Sequence, residues 1–234
     1  MLFDDGCGRY SIQASAEELR KRYNLAKAKD KVTKSFDVKP GQMLPVITAD
    51  ESGKPQMELM KWGLIPFWSK DPKLGYRLFN ARDDHLFDGK IWRQVIYKKR
   101  AIIPATGFFE WTKPEKGSKT PKQKFYFHPK QIDIFSFAGI WETWKDVEGK
   151  EWKTYSIITT EPNKEMSSVH NRMPVILHPE DESSWLEPSK VTRDDIEPLL
   201  RPFEDNGLEK VEVSNDVKDV RFDDKQLIAP LNSK

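Results

Sequence analysis

The chain is short of the residues that staple or metallate small proteins: it has 1 cysteine and 4 histidines among 234 residues. One cysteine cannot close an internal disulfide. A secreted disulfide scaffold is therefore excluded, and a cytoplasmic setting is the simpler expectation. So few thiols and imidazoles also argue against a closed structural zinc site. An excess of one charge sign is missing too: 39 Lys and Arg stand against 37 Asp and Glu, a difference of +2. That balance excludes a histone-like wrapper but leaves room for a local basic groove. No run approaches the ~20 apolar residues of a membrane span. The start, Met1-Leu2-Phe3-Asp4-Asp5-Gly6-Cys7, carries acids where a signal peptide carries bases.

What is there is length and rings. A chain of 234 residues buries a sizeable core as one large domain or two small ones. With 8 Trp and 13 Phe beside a 32% charged fraction, a wet surface covers an aromatic interior or binding face. The 16 prolines are scattered and no repeat is visible, which suits many short elements joined by turns.

Ser15 followed by Glu18 is a capping box, with Ala16, Leu19 and Tyr23 at helical spacing behind it. Further helices are expected over Lys90 to Lys99 and, with Thr192 as N-cap, over Thr192 to Leu200. Met43 to Thr48 and Gln56 to Trp62 flank a turn at Asp50-Glu51-Ser52-Gly53 and read as a hairpin. Strands are expected at Ala101 to Pro104, Gln123 to Phe127, Ile132 to Phe137, Thr154 to Thr160, Pro174 to Leu177 and Val211 to Val213. A turn at Asp146 to Gly149 separates Trp141 from Trp152. This order predicts an α+β fold, mostly antiparallel, built on a strongly bent or barrel-like sheet with a few peripheral helices. The lysine-rich stretch Lys113 to Lys124 reads as a solvated hairpin tip, with a phosphate-attracting arm as the alternative.

Four segments hold candidate chemistry. Cys7 lies between Gly6 and Gly8; a lone cysteine is ordinarily a small buried hydrophobe, but beside a base its thiol is a nucleophile. Glu110 interrupts the aromatic run Phe108-Phe109-Glu110-Trp111. Either it points outward between buried rings or it is a partly buried carboxyl suited to proton transfer. His170 precedes Arg172 at a turn before Pro174, and on its own reads as a satisfied surface histidine. Asn80 and Arg82 follow the segment containing Trp68; such residues bind phosphates and sugar hydroxyls or stack on bases, or form an ordinary loop.

In order, the chain reads Cys7-Gly8-Arg9-Tyr10, Val38-Lys39-Pro40-Gly41, Trp62-Gly63-Leu64-Ile65-Pro66 and Asn80-Ala81-Arg82. It continues with Pro104-Ala105-Thr106-Gly107-Phe108-Phe109-Glu110-Trp111, Ala138-Gly139-Ile140-Trp141, Thr159-Thr160 and His170-Asn171-Arg172-Met173-Pro174. This series resembles the SRAP family, the SOS response-associated peptidase domain. The resemblance implies a single SRAP domain over 7–234 that needs no cofactor or metal. It implies a monomer that binds single-stranded DNA and senses abasic sites during the DNA damage response, nucleoid-associated when bound. In the family an N-terminal cysteine reacts through amine and thiol with the ring-opened sugar aldehyde, giving a thiazolidine crosslink. Abasic-site lyase activity, crosslink reversal and autoproteolysis are associated with it. By the same resemblance Cys7, Glu110, His170 and Asn80 are catalytic. Arg9, Arg82 and Arg172 hold flanking phosphates, Trp68 stacks on or wedges beside a base, and Thr159 adds a hydroxyl contact.

Two departures stand out. Cys7 follows residues 1–6, so its nitrogen is an amide unless that leader is a start-site artefact or is cleaved before Cys7. The family also favours asparagine where Asp37 stands, and an acid near a DNA groove weakens phosphate binding unless it is paired. The rival expectations are a cysteine hydrolase with Cys7, His170 and Glu110 as triad and a non-catalytic single-strand-binding module.

Overall fold

The computed structural model describes residues 6–26, 31–114, 117–215 and 224–231. Among them, β1 (Arg9–Ile12), α1 (Ala16–Arg22), β2 (Ser35–Val38), β3 (Met43–Ala49), β4 (Pro55–Trp62), β5 (Asn80–Arg82) and α2 (Arg93–Ile96) form the first half. Next come β6 (Arg100–Ala105), β7 (Gly107–Trp111), β8 (Lys124–Pro129), β9 (Phe135–Lys145) and β10 (Glu151–Thr160). Short elements follow: α3 (Lys164–Ser167), β11 (Met173–Pro174), β12 (Ile176–Leu177), α4 (Pro179–Leu186), α5 (Arg193–Ile196) and β13 (Leu208–Val213).

The order β10-β4-β3-β6-β9, with β9 pairing back onto β10, closes a ring of five strands. Closure leaves no open edge within the ring. A second sheet, β13-β8-β7-β1-β2, is antiparallel throughout. In the first sheet β10 pairs parallel with both β4 and β5. The expected α+β architecture with a barrel-like core and a few peripheral helices is the observed one.

Aromatic side chains fill the ring. Trp62 stacks on Tyr155 at 6.4 Å, Tyr10 meets Trp62 edge-on at 5.0 Å, and the Tyr10 and Tyr155 hydroxyls bond each other at 2.8 Å. A buried phenol is tolerated only with such a partner. β7 is covered on both faces. Phe108 belongs to the main core, and Phe109 to a smaller cluster with Tyr126, Val213 and Leu227. Gly107 makes room for the neighbouring strand: a Cβ there would lie 2.0 Å from the Tyr126 hydroxyl, which bonds Ser11 Oγ at 2.8 Å.

The Ser15 capping box forms as expected: Ser15 Oγ accepts from the Glu18 amide at 3.1 Å, and Glu18 Oε2 accepts from the Ser15 amide at 3.3 Å. The helix expected over Lys90 to Lys99 shrinks to the single turn α2, flanked by turns, and the Lys99 carbonyl accepts from the Trp141 amide of β9 at 2.9 Å. Beyond α5, Pro198 tightens the chain into a 3-10 turn, Glu197–Leu199. α4 was not foreseen, although Pro179 in its first turn followed by Glu180, Asp181 and Glu182 is a helix-start signal. The lysine-rich tip is corrected at its end. Lys124 is not solvated but buried in β8, with Nζ 4.3 Å from the Phe109 ring centre and 5.3 Å from that of Trp111. Residues 115 and 116 of that stretch, and residues 1–5 of the leader, lie outside the described residues.

Candidate functional site

Two pairings assemble the site. β1 runs antiparallel to β7 with Arg9 opposite Phe109, which brings Cys7 to the level of Glu110. β5 runs parallel to β10 with Asn80, Ala81 and Arg82 opposite Ile157, Ile158 and Thr159. β11 then flanks β10 on its other side through Thr159 opposite Pro174. The end of β10 thus gathers Asn80, Arg82, Thr159 and the turn before Met173.

At Gly6 and Cys7 the backbone turns left-handed, with φ +83° and +28°. A non-glycine residue held at positive φ is strained, and such strain persists only where surrounding contacts over-determine it. Here they do. The Cys7 amide donates to Glu110 Oε1, and Asn80 Nδ2 donates to the Gly6 carbonyl and, at 3.3 Å, to the Cys7 carbonyl. Gly6 packs on the Arg172 backbone, where an added Cβ would lie 3.3 Å from the Arg172 carbonyl oxygen. Cys7 is fully buried, and its Sγ lies 3.9 Å from the Arg9 carbonyl. Burial, and then the charge of Glu110, push its thiol well above the usual value, which disfavours the thiolate, the nucleophilic form. Glu110 points inward, 5% exposed, on the same face of β7 as Phe108.

The remaining candidates divide. Arg172 is buried, its guanidinium donating to Asp83 Oδ1 and to the Thr159 carbonyl, both at 2.6 Å, and reaching the Thr159 hydroxyl at 3.4 Å. His170 is buried too, and its Nδ1 accepts from the Arg172 amide at 3.1 Å, which fixes where that turn sits. Arg9 reaches both Asp37 oxygens at 2.7 Å, with Lys39 3.1 Å from the same carboxylate. Asp37 is therefore paired. Arg82 forks onto Asp84 at 3.0 and 2.7 Å, and that bond holds the Asp84 carboxyl below its usual range. Trp68 is 55% exposed in the loop before the 3-10 turn Pro72–Tyr76, and none of these contacts joins it to the group. Sequence reasoning passed over Asp83 and Asp84. The two acids directly follow Asn80-Ala81-Arg82 and were visible as an acidic pair beside a basic residue.

Two buried polar atoms in this group have no hydrogen-bond partner: Asn80 Oδ1, an acceptor, and Arg172 Nε, a donor. Buried groups are rarely left so. Among the described residues no cluster of three or more His, Cys, Asp or Glu is arranged to hold a metal ion, and no helix is long and apolar enough to cross a membrane.

Abasic site processing protein YoqW of Bacillus subtilis is 34% identical over 224 residues, 95% of this chain and 98% of that protein. Abasic site processing protein HMCES of Gallus gallus is 31% identical, covering 78% of this chain and 60% of that protein. The crystal structure of a Bacteroides thetaiotaomicron protein superposes with a TM-score of 0.86 at 31% identity, over 96% of this chain and 99% of that one. The family model for SOS response associated peptidase (SRAP) matches residues 6–220, a span that begins one residue before Cys7 and includes every side chain of the site. The chain belongs to the SRAP family.

Proposed function

We propose that this protein processes abasic sites in single-stranded DNA through a covalent bond formed by Cys7. The observation that carries the reading is the carboxylate of Glu110 on the backbone nitrogen of Cys7, with Asn80 clasping the carbonyls on either side of that nitrogen. The Glu110 carboxylate accepts from the Cys7 nitrogen, the atom that matters if Cys7 is to react as an amine.

The chemistry follows from that placement. Once the Gly6–Cys7 bond is hydrolysed, water supplies OH to the Gly6 carbonyl carbon and a proton to the Cys7 nitrogen. Asn80 Nδ2 on the Gly6 carbonyl is aimed to stabilise the developing oxyanion. The released α-amine, with an ordinary pKa of about 7.7–8.0, is partly neutral at physiological pH. It adds to the C1 aldehyde of the open abasic sugar and loses water to give an imine. The Cys7 thiol then adds to the imine carbon, its proton passing to the nitrogen, and a five-membered thiazolidine closes. Glu110 relays protons at the nitrogen. The free Asn80 Oδ1 accepts a sugar hydroxyl. His170 positions the Arg172 turn and supplies an imidazole for sugar-ring opening. Arg9, Arg82 and Arg172 face the flanking phosphates, Thr159 supports Arg172, and Trp68 offers a stacking face. Residues 7–234 act as one SRAP domain.

The test is incubation with a single-stranded oligonucleotide carrying one abasic site, with Cys7→Ala alongside. A heat-stable, slower band from the wild type alone is expected. Equal non-covalent binding by both proteins with no such band would replace this reading with the bare binding module. Intact-mass and N-terminal sequencing of the crosslinking species should show Cys7 first. An active species that retains the preceding residues would exclude amine chemistry.

A further inference from the structure

Each arginine read above as facing a phosphate is already bonded to an aspartate. Arg9 reaches Asp37 at 2.7 Å, Arg82 forks onto Asp84 at 3.0 and 2.7 Å, and Arg172 reaches Asp83 at 2.6 Å. The carboxylates are themselves held. Asp37 also pairs with Lys39 at 3.1 Å, and Asp83 accepts from the Thr160 hydroxyl at 2.8 Å. A carboxylate and a phosphate compete for the same donors, because both accept from a guanidinium in the same forked geometry.

We propose that Asp37, Asp83 and Asp84 are specificity-determining residues that occupy the phosphate-facing donors of Arg9, Arg172 and Arg82 and so suppress binding to undamaged DNA. The inference rests on the reading of those three arginines as phosphate ligands. Affinity for nucleic acid comes mostly from phosphate contacts, which carry no information about damage. A protein that reacts at rare sites loses occupancy to every intact stretch that its cations grip. An aspartate on each arginine subtracts that indiscriminate part and leaves the guanidinium oriented. Strand held at the abasic sugar by Asn80 and Cys7 then displaces the carboxylates, where intact strand does not. The near-neutral balance of 39 basic and 37 acidic residues fits such a self-screened surface.

The experiment compares Asp37→Asn, Asp83→Asn and Asp84→Asn with Arg9→Ala and Arg82→Ala in the full chain. Binding to an undamaged single-stranded oligonucleotide is read by fluorescence anisotropy between 50 and 200 mM KCl. Yield on an abasic oligonucleotide is read in excess undamaged competitor. Asp84 is half-exposed, so Asp84→Asn will fold even if the more buried Asp37 variant does not. Melting curves confirm folding for each.

Each aspartate variant is expected to bind undamaged strand about three- to tenfold more tightly. Its log–log salt slope should steepen by about 0.7, the value of one added phosphate contact on a single strand. Yield in competitor should fall. Unchanged or weaker binding by the aspartate variants, with weaker binding by Arg9→Ala and Arg82→Ala, overturns the inference and makes the aspartates mere orienters of true phosphate ligands. If the two arginine variants also bind as the wild type does, the reading of the arginines is itself wrong, and the inference falls with it.

Discussion

The backbone nitrogen of Cys7 donates to Oε1 of Glu110, a residue 103 positions away in the chain. No local turn can make this contact; it exists because β1 and β7 are neighbours in the small sheet. Its consequence is that a buried carboxylate bonds the Cys7 nitrogen and, through its charge, also bears on the Cys7 thiol.

Glu110→Gln keeps the shape and an acceptor oxygen for the Cys7 nitrogen but removes the charge and the ability to relay a proton. Crosslinking to abasic single-stranded DNA should slow by about 10²-fold or more, the usual contribution of a positioned acid–base group. Affinity for the strand, read by anisotropy, should stay within about twofold. A large loss of affinity would make Glu110 structural instead.

Cys7 labelling should report whether the residues before it are attached. Burial and Glu110 hold the internal thiol protonated to well above its usual range. Iodoacetamide at pH 7.5 should therefore modify it at least about tenfold more slowly than in urea-unfolded protein. The sign for stability follows from the same shift. The native thiol keeps its proton where the unfolded one has lost it, so this contribution declines as pH rises above about 8.5. Protein whose chain begins at Cys7 loses the Gly6 cover and should label faster.

Lys124 offers a stability test beside the Arg9–Asp37–Lys39 cluster, whose charges it feels. Its ammonium lies over Phe109 and Trp111, and burial lowers its pKa. With the native value below the unfolded one, the unfolded state binds the extra proton, and stability rises with pH across the window below about 10.4. Lys124→Met should flatten that rise and leave the Tm at pH 7 equal or higher, as expected when an apolar group replaces a buried cation. A clear fall in Tm would show that the cation–π contact outweighs the desolvation.

Ser15→Ala should remove the side-chain half of the capping box on α1, the bond from the Glu18 amide to Ser15 Oγ, while the Ser15 amide can still donate to Glu18. The expected cost is about 1 kcal/mol in urea unfolding, with no change in abasic-site chemistry. A null effect would mean that α1 is held by Leu19 packing alone.

Much of the fold was legible because local rules and tertiary packing agree. The Ser15 box, the Met43–Ala49 and Pro55–Trp62 hairpin and the Asp146–Gly149 turn all stand where their residue types put them. The legible part of the site was its membership: ordered blocks from Cys7 to Pro174 identified the family before any distance was known. Glu110 was ambiguous in sequence for a physical reason. A strand with one wet face alternates, whereas β7 has Phe108 and Phe109 buried on opposite faces, so no periodicity could say which way the glutamate points. Lys124 misled in the same way, since a lysine in a lysine-rich stretch reads as solvated until two rings are found beneath it.

The sequence by itself determined which residue types are present in which order: one cysteine flanked by glycines, and a near-neutral charge with arginines at set places. Only the tertiary structure decided what each of them touches. The strand pairings set Cys7 against Glu110 and Asn80, and side-chain reach across the fold set Asp37, Asp84 and Asp83 against Arg9, Arg82 and Arg172. Charge count fixes net attraction to DNA, but pairing decides which cations are available to a phosphate, because a guanidinium satisfied by a carboxylate must exchange partners before it can bind.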